Sequence, residues 1–448
     1  MKKLYAPWEK AFNKVSTPFE HFLHAQTTTG FVLIFMTIIA LILANSPFAE
    51  VYTSFFYTKI DFVVGSWQLS QTIHHWINDG LMAIFFFIIG LEIKREILVG
   101  ELSNIKVAIL PILAAIGGMV FPALVYVGIN AGSEGVNGWG IPMATDIAFA
   151  ISILVLLGKR VPTTLVTFLV ALAIVDDLGA VLVIAIFYTD TINMLPLILA
   201  GVSFLILVIF NRVGIHMILP YFIIGLFMWF FMLESGVHAT IAGVIAAMSI
   251  PSKPKYSPSN FTKNTKKLLN DYDNHATVED KRMNEKQKAI LQNIKDKIDS
   301  IGTPAARLEY DLHLLVALVI IPIFALANAG IAIDFNSIGT IVEPISLGII
   351  AGLIFGKVLG IFGVSWLAIK FKIAQLPKGS TMSQIFGVSF LGGIGFTMSI
   401  FVADLAFINE PNLVYQAKIG IIVASLFAGL FGFFWLKYVA KREDTVVI

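Results

Sequence analysis

The sequence predicts an all-α polytopic membrane protein with twelve transmembrane helices. Three observations carry this: a composition too apolar for a soluble domain, apolar runs along almost the whole chain, and basic residues that alternate in step with those runs. Of 448 residues, 57% are hydrophobic and 13% charged, with a mean hydropathy of +0.84, whereas soluble domains carry about one quarter charged residues. The apolar stretches are 30–48, 76–94, 107–129, 140–157, 164–188, 194–210, 214–233, 238–250, 312–329, 347–369, 383–407 and 414–438, and about twenty such residues cross the hydrocarbon layer. Of the 31 Lys and Arg, 28 precede the first stretch, sit in or flank every second loop, or follow the last stretch. Lys59 and Lys418 lie in or beside the other loops, and Lys357 lies inside a stretch. Cytoplasmic loops collect Lys and Arg, so both termini are expected inside, and a wrong count would have scrambled the alternation.

In chain order, residues 1–29 form a cytoplasmic N-terminal segment. Its charged opening, MKKLYAPWEKAFNK, precedes an apolar run that begins only near Gly30 and ends in LANSPF without a small-x-small cleavage site. A retained first span is therefore expected rather than a cleaved signal. Spans 1–8 occupy 30–250, a cytoplasmic loop insertion 251–311, spans 9–12 312–438, and a cytoplasmic tail 439–448. Within the insertion, Ile290, Leu291, Ile294, Ile298 and Ile301 recur at near-helical spacing, which predicts an amphipathic helix closing a linker; a regulatory or membrane-surface role is the alternative. There is no cysteine, so disulfides and thiolate metal sites are excluded. The net charge of +2 is too small to argue for nucleic acid, and none is expected as a partner.

The charges inside the apolar stretches carry the chemistry. The run Thr164–Tyr188 holds Asp176 and Asp177 at its centre, Asp146 lies in MATDIAFAIS, and Lys357 in AGLIFGKVLGIFG. A charge at mid-bilayer costs about 2.5–3.5 kcal/mol on insertion scales, so four cost on the order of 10 kcal/mol, comparable with a domain's net stability. Such groups must face one another or a wet cavity. A buried ion pair that only fixes helix register is the plain alternative, but three acids and one lysine leave an excess of negative charge. Adjacent helical residues diverge by about 100°, so Asp176 and Asp177 are expected to line two walls of one cavity. Like charges this close cannot both ionise cheaply without a counter-ion. The pair suits two mutually exclusive occupants, protons or a cation, as an antiporter needs. Two protons leaving for one monovalent ion would make the cycle electrogenic.

Two apolar stretches are interrupted. GVNGWGIPMATDIAFA carries Gly138, Gly140 and Pro142 ahead of Thr145 and Asp146, and SFLGGIGFTMSIF carries Gly392, Gly393 and Gly395. Backbone unwound inside a membrane is tolerated where it lines a cavity or is buried in protein. These are the middle members of spans 3–5 and 10–12, offset by an odd number of spans, so the triplets run in opposite directions as inverted-topology repeats would. Discontinuous helices at matching positions of two inverted halves point to a transporter's site. An acid suits the half-helix N-termini and a lysine the C-termini.

With those residues assembled, the chain resembles the NhaA family of bacterial Na⁺/H⁺ antiporters from about residue 20 to 438, apart from 252–305. The motifs are GLEIKRE (90–96), PMATDIAFA (142–150), ALAIVDDLGA (171–180), SGVHATIAG (235–243), PIFALANAG (322–330), GKVLG (356–360) and GGIGFTMSIF (392–401). The resemblance implies twelve spans, inverted repeats with two unwound crossing helices, and extrusion of Na⁺ (or Li⁺) driven by inward proton flow in the bacterial cytoplasmic (inner) membrane, for sodium and pH homeostasis. It places ion and proton binding on Asp176 and Asp177, puts Thr145 and Asp146 at the crossing, and pairs Lys357 with Asp176 as proton carrier or counter-charge. Glu92, Glu96 and Glu309 match acids of the cytoplasmic mouth associated with pH activation, His238 a histidine tied to pH response, and Asp79 a further acid. The long insertion just before Glu309 departs from the family pattern. For Glu92 and Glu96 a solvated mixed-charge face, and for His238 a water-satisfied interfacial position, are the plainer readings. His74, His75, His216 and His313 suggest nothing specific.

No cofactor is implied beyond the transported Na⁺, Li⁺ and H⁺. The bilayer is the evident partner, and a homodimer is compatible with the sequence without being specified by it. Two rivals are weighed. An intramembrane aspartyl protease needs two acids sharing a proton, but its G-x-G-D element is missing. A Na⁺-coupled symporter or channel is nearer, though the midplane polar groups suffice only for a small cation.

Overall fold

The computed structural model describes residues 26–64, 67–189, 192–254, 258–274, 283–333 and 335–446; the charged opening segment, up to residue 25, lies outside them. Helix α1 (Gln26–Ala44) starts before its expected limit of 30 and stops short of 48, the stop falling just ahead of Pro47, which lacks the N–H to continue the ladder. Asn45 holds the turn, its amide donating to the Leu41 and Ile331 carbonyls at 2.8 and 2.7 Å. The chain then bends by 111° into α2 (Ala49–Tyr57).

Strands β1 (Lys59–Val64) and β2 (Trp67–Thr72) follow, antiparallel from Lys59↔Thr72 to Val64↔Trp67. This short hairpin is an addition that the sequence reading did not anticipate, within a fold that is otherwise helical as expected. Ile60, Phe62, Val63, Val64 and Trp67 favour strand, but a reading tuned to membrane-length runs averages so short and polar a stretch away.

The next span is helical from Ile73–His75 through a π-helical turn, Trp76–Leu81, into α3 (Met82–Leu98). Then come α4 (Ile105–Asn130), a 3₁₀ segment (Glu134–Met143) leading to α5 (Ile147–Leu156), α6 (Thr163–Phe187), α7 (Met194–Val213), α8 (Ile218–Ser235) and the short α9 (Thr240–Ser249). In the insertion, α11 (Glu285–Ile301) is the expected amphipathic helix, started by a reciprocal Asn284–Gln287 cap. The preceding α10 (Pro258–Asn274) is unexpected; it packs against α11, and tertiary contact rather than propensity carries so polar a helix.

Helix α12 (Pro304–Leu315) continues through a π-helical turn, Val316–Ile320, into α13 (Ile321–Asn328). It begins before the expected 312 because Pro304 opens it and the Thr303 hydroxyl accepts from the Ala306 N–H. Glu309 therefore lies within this apolar helical run rather than in the insertion. Helices α14 (Pro344–Ala351) and α15 (Val364–Lys370) flank π-helical turns on both sides of Lys357. Last come α16 (Met382–Leu391), α17 (Phe396–Ala406) and α18 (Pro411–Val446), the last overrunning the expected end at 438.

Among the described residues, seven helices are long and apolar enough to cross a membrane, and three bent pairs raise this to ten. The run ending in α3 is not among them, and α9 is too short to qualify alone. Helices α7 and α8 bury only 17% and 22% of their apolar windows against 56% for α6, so they are peripheral and α6 is central. Apolar side chains such as Leu195, Ile198, Leu205, Phe222 and Leu226 point outward, as a lipid-facing surface requires.

Helix α4 meets the Lys357 segment backbone to backbone: a Cβ on Gly360 would run into the Gly117 carbonyl oxygen, and one on Gly117 into that of Gly360. Backbone cannot swing aside as a side chain can. Gly360→Val is therefore expected to cost about 3 kcal/mol or more, the upper range for overpacking, read as a lower unfolding temperature in detergent.

Candidate ion-binding site

The two interrupted spans break at Asp146 and at 392–395, where their halves bend by 41° and 47°. They cross at these breaks: the Asp146 N–H donates to the Ile394 carbonyl at 2.6 Å. Asp146 is the N-cap of α5, its Oδ1 accepting from the Phe149 N–H at 3.2 Å. Its Oδ2 accepts from the Thr397 N–H at 3.0 Å and the Thr397 hydroxyl at 2.5 Å. One carboxylate thus holds the positive ends of two half-helices, and Ser425 accepts from the Phe396 N–H at 3.1 Å. Pro142, Gly392, Gly393 and Gly395 all lie at this crossing. Asp146→Ala would strand two buried donors at about 1–3 kcal/mol each. A lower unfolding temperature is the expected result, partly restored in Asp146→Asn.

Asp176 and Asp177 project from the middle of α6, and both are buried. The Asp176 Oδ2 accepts from Lys357 Nζ at 2.7 Å and from the Thr145 hydroxyl at 2.6 Å. Lys357 also donates to the Thr145 oxygen at 2.8 Å, and that hydroxyl lies 2.8 Å from the Gly392 carbonyl. A hydroxyl has one proton to give, so Thr145 serves Asp176 or the end of α16, one at a time. Lys357 therefore reaches the helix end through Thr145 rather than directly. The flanking π-helical turns widen its helix, a feature frequent at functional sites.

Asp177 differs from its neighbour. Neither of its oxygens has a hydrogen-bond partner among the described residues. It lines a cavity of about 160 Å³ with Asp146, Thr397, Ser152, Thr29, Glu92 and His313 among the wall residues. Asp176 does not line this cavity, which corrects the expectation that both acids form its walls. Diverging by about 100° on one helix, Asp176 turns to Lys357 and Asp177 to the open space.

At the cavity mouth, Glu92 faces His313 at 3.7 Å, and Arg95 binds Glu309 at 2.9 Å and Glu96 at 3.1 Å. Glu96 also accepts from the Glu101 N–H at 2.9 Å. Glu96 and Glu309 thus share Arg95, and Glu92 pairs with His313. Arg95 and His313 were not singled out from sequence; His313 stands one helical turn after Glu309, the spacing that could have flagged it. Asp79 and His238 are elsewhere, at the opposite end. Asp79 pairs with His75 at 3.1 Å, and the His238 Nε2 lies 2.7 Å from the Tyr188 carbonyl. Thr397, inside a quoted motif, was also missed, since nothing local shows that it meets Asp146.

The chain matches the family described as Na⁺/H⁺ antiporter 1 over residues 20–436. The Na⁺/H⁺ antiporter NhaA of Sulfurimonas denitrificans is 69% identical over 443 residues, covering 99% of this chain and 100% of the relative. NhaA 1 of Saccharophagus degradans is 49% identical, with 98% and 95% covered, and NhaA of Dichelobacter nodosus 45% identical, with 98% and 95% covered.

Proposed function

The chain belongs to the Na⁺/H⁺ antiporter 1 family, and on that premise we propose that it exchanges internal Na⁺, and Li⁺, for external protons. The observation that carries this reading is the Asp177 carboxylate, buried, facing the cavity and without a hydrogen-bond donor among the described residues. A proton or a small cation satisfies it, and each excludes the other. Asp176 differs in having Lys357 as its counter-charge. A second proton drawn from the Asp176–Lys357 pair during the cycle would make exchange electrogenic. The cavity volume supports a small ion over an organic co-substrate, whose pockets run to about 300–1,000 Å³. Both Asp146 oxygens are engaged by half-helix N-termini, which speaks against a protease dyad.

The positive-inside bias supports twelve crossings with the cavity mouth, the 251–311 region and both termini on the cytoplasmic side of a bacterial inner membrane. In that orientation Glu92, Glu96 and Glu309, joined by Arg95 and His313, form the pH-responsive mouth. Asp79 and His238 lie toward the outside.

The test is exchange in inverted vesicles with an imposed proton gradient. Adding Na⁺ or Li⁺ at alkaline pH is expected to dissipate the gradient. Correctly inserted protein that leaves the gradient intact across the pH range would overturn the reading.

A further inference from the structure

A second buried polar cluster lies at the end opposite the cavity mouth and takes no part in the ion site. Asn328, which ends α13, donates to Asn78 Oδ1 at 2.9 Å and lies 2.9 Å from His74 Nε2. Asn78, in the π-helical turn before α3, donates to Asp404 Oδ2 at 3.4 Å, and Lys418 pairs with Asp404 Oδ1 at 3.2 Å. The cluster joins two sets of elements, α17 and α18 on one side and the α3 and α13 runs on the other.

Between it and the ion site lies a layer of aromatic rings. Phe401 packs at 5.5 Å from Phe86 and 6.2 Å from Phe324, all three fully buried. The order is written along α17: Thr397 touches Asp146, Phe401 forms the aromatic layer and Asp404 the cluster. Positions i, i+4 and i+7 share one helix face. The pattern recurs one turn apart on α13, in Phe324 and Asn328. The cavity walls, by contrast, run from Asp177 only toward Glu92 and His313.

We propose that the Asn78–Asn328–Asp404 cluster is a clasp that holds the passage shut on the side opposite the cavity mouth and opens when the site turns to that side. The inference rests on the exchange reading, since two mutually exclusive occupants must be released on opposite faces. A clasp fits better than a second cation site because the cluster's oxygens already accept from its own donors. Asn328 Oδ1 faces His74, Asn78 Oδ1 takes the Asn328 amide, and Asp404 takes Lys418 and Asn78.

The chain has no cysteine, so an introduced one reports access without background. Ile151 lies on the cavity wall, and Ile151→Cys is to be labelled with a membrane-impermeant maleimide in inverted and right-side-out vesicles. With the clasp intact, labelling from the mouth side is expected to dominate. Adding the isosteric Asp404→Asn is expected to raise labelling from the other side about tenfold, the shift that losing one charge-assisted hydrogen bond gives a two-state equilibrium. Conversely, bridging Asn78→Cys to Asp404→Cys with a short cleavable cross-linker should stop exchange, and cleavage should restore it. The clasp is overturned if folded Asp404→Asn and Asn328→Ala both keep the wild-type labelling pattern, or if the bridged protein exchanges at the unbridged rate. It is equally overturned if Asp404→Asn raises only the Na⁺ concentration for half-maximal exchange, the mark of an ion subsite. Wild-type protein that moved Na⁺ without protons would sink the exchange reading instead, and the labelling shift would still support the clasp.

Discussion

Asp177→Asn is expected to abolish Na⁺-dependent dissipation of a proton gradient while leaving the fold intact. Removing one partner of a buried charge pair costs about 3 kcal/mol or more, which is about a hundredfold or more in affinity. An amide also cannot release the proton that exchange requires. Stability should not follow activity, because no hydrogen bond to Asp177 is lost among the described residues: both its oxygens lack partners there. Exchange in inverted vesicles and thermal unfolding in detergent, measured on one preparation, check both halves. Exchange at the wild-type rate would show that the ion binds elsewhere.

Lys357→Ala is expected to reverse that pattern, damaging stability first. The ammonium lies 2.7 Å from Asp176 with both side chains fully buried. Breaking such a pair leaves an uncompensated charge and costs about 3–5 kcal/mol. The Lys357→Ala/Asp176→Asn double variant removes both charges and should regain much of the loss, a coupling that a double-mutant cycle measures. Lys357→Arg asks a separate question. Arginine keeps its charge throughout the working pH range, so electrogenic exchange surviving in that variant would make Lys357 a counter-charge, and loss of electrogenicity with exchange retained would make it a proton carrier.

Much of this was legible in the residues. The helical class followed from apolar runs and the basic-residue alternation, and the two breaks from Gly and Pro clusters at matching positions. The need for partners around Asp146, Asp176, Asp177 and Lys357 followed from the cost of charge in hydrocarbon. The hairpin at Lys59–Thr72 and helix α10 were not legible, because each is a short polar stretch stabilised by a neighbour. Nor were the roles of Thr397 and His313, whose partners Asp146 and Glu92 are far away in sequence.

What the sequence by itself determined is a matter of one dimension: which segments are oily enough to leave water, which side collects the positive loops, and which charges are too costly to stand alone. Only the tertiary structure decided how those charges are shared. Neighbouring residues on α6 point about 100° apart, so the packing of that helix turns Asp176 to Lys357 and Asp177 to the cavity. The same packing commits Asp146 to two helix ends rather than to the ion. Hydropathy is a property of a segment, whereas the rotation of a helix about its own axis is settled only by the helices that surround it.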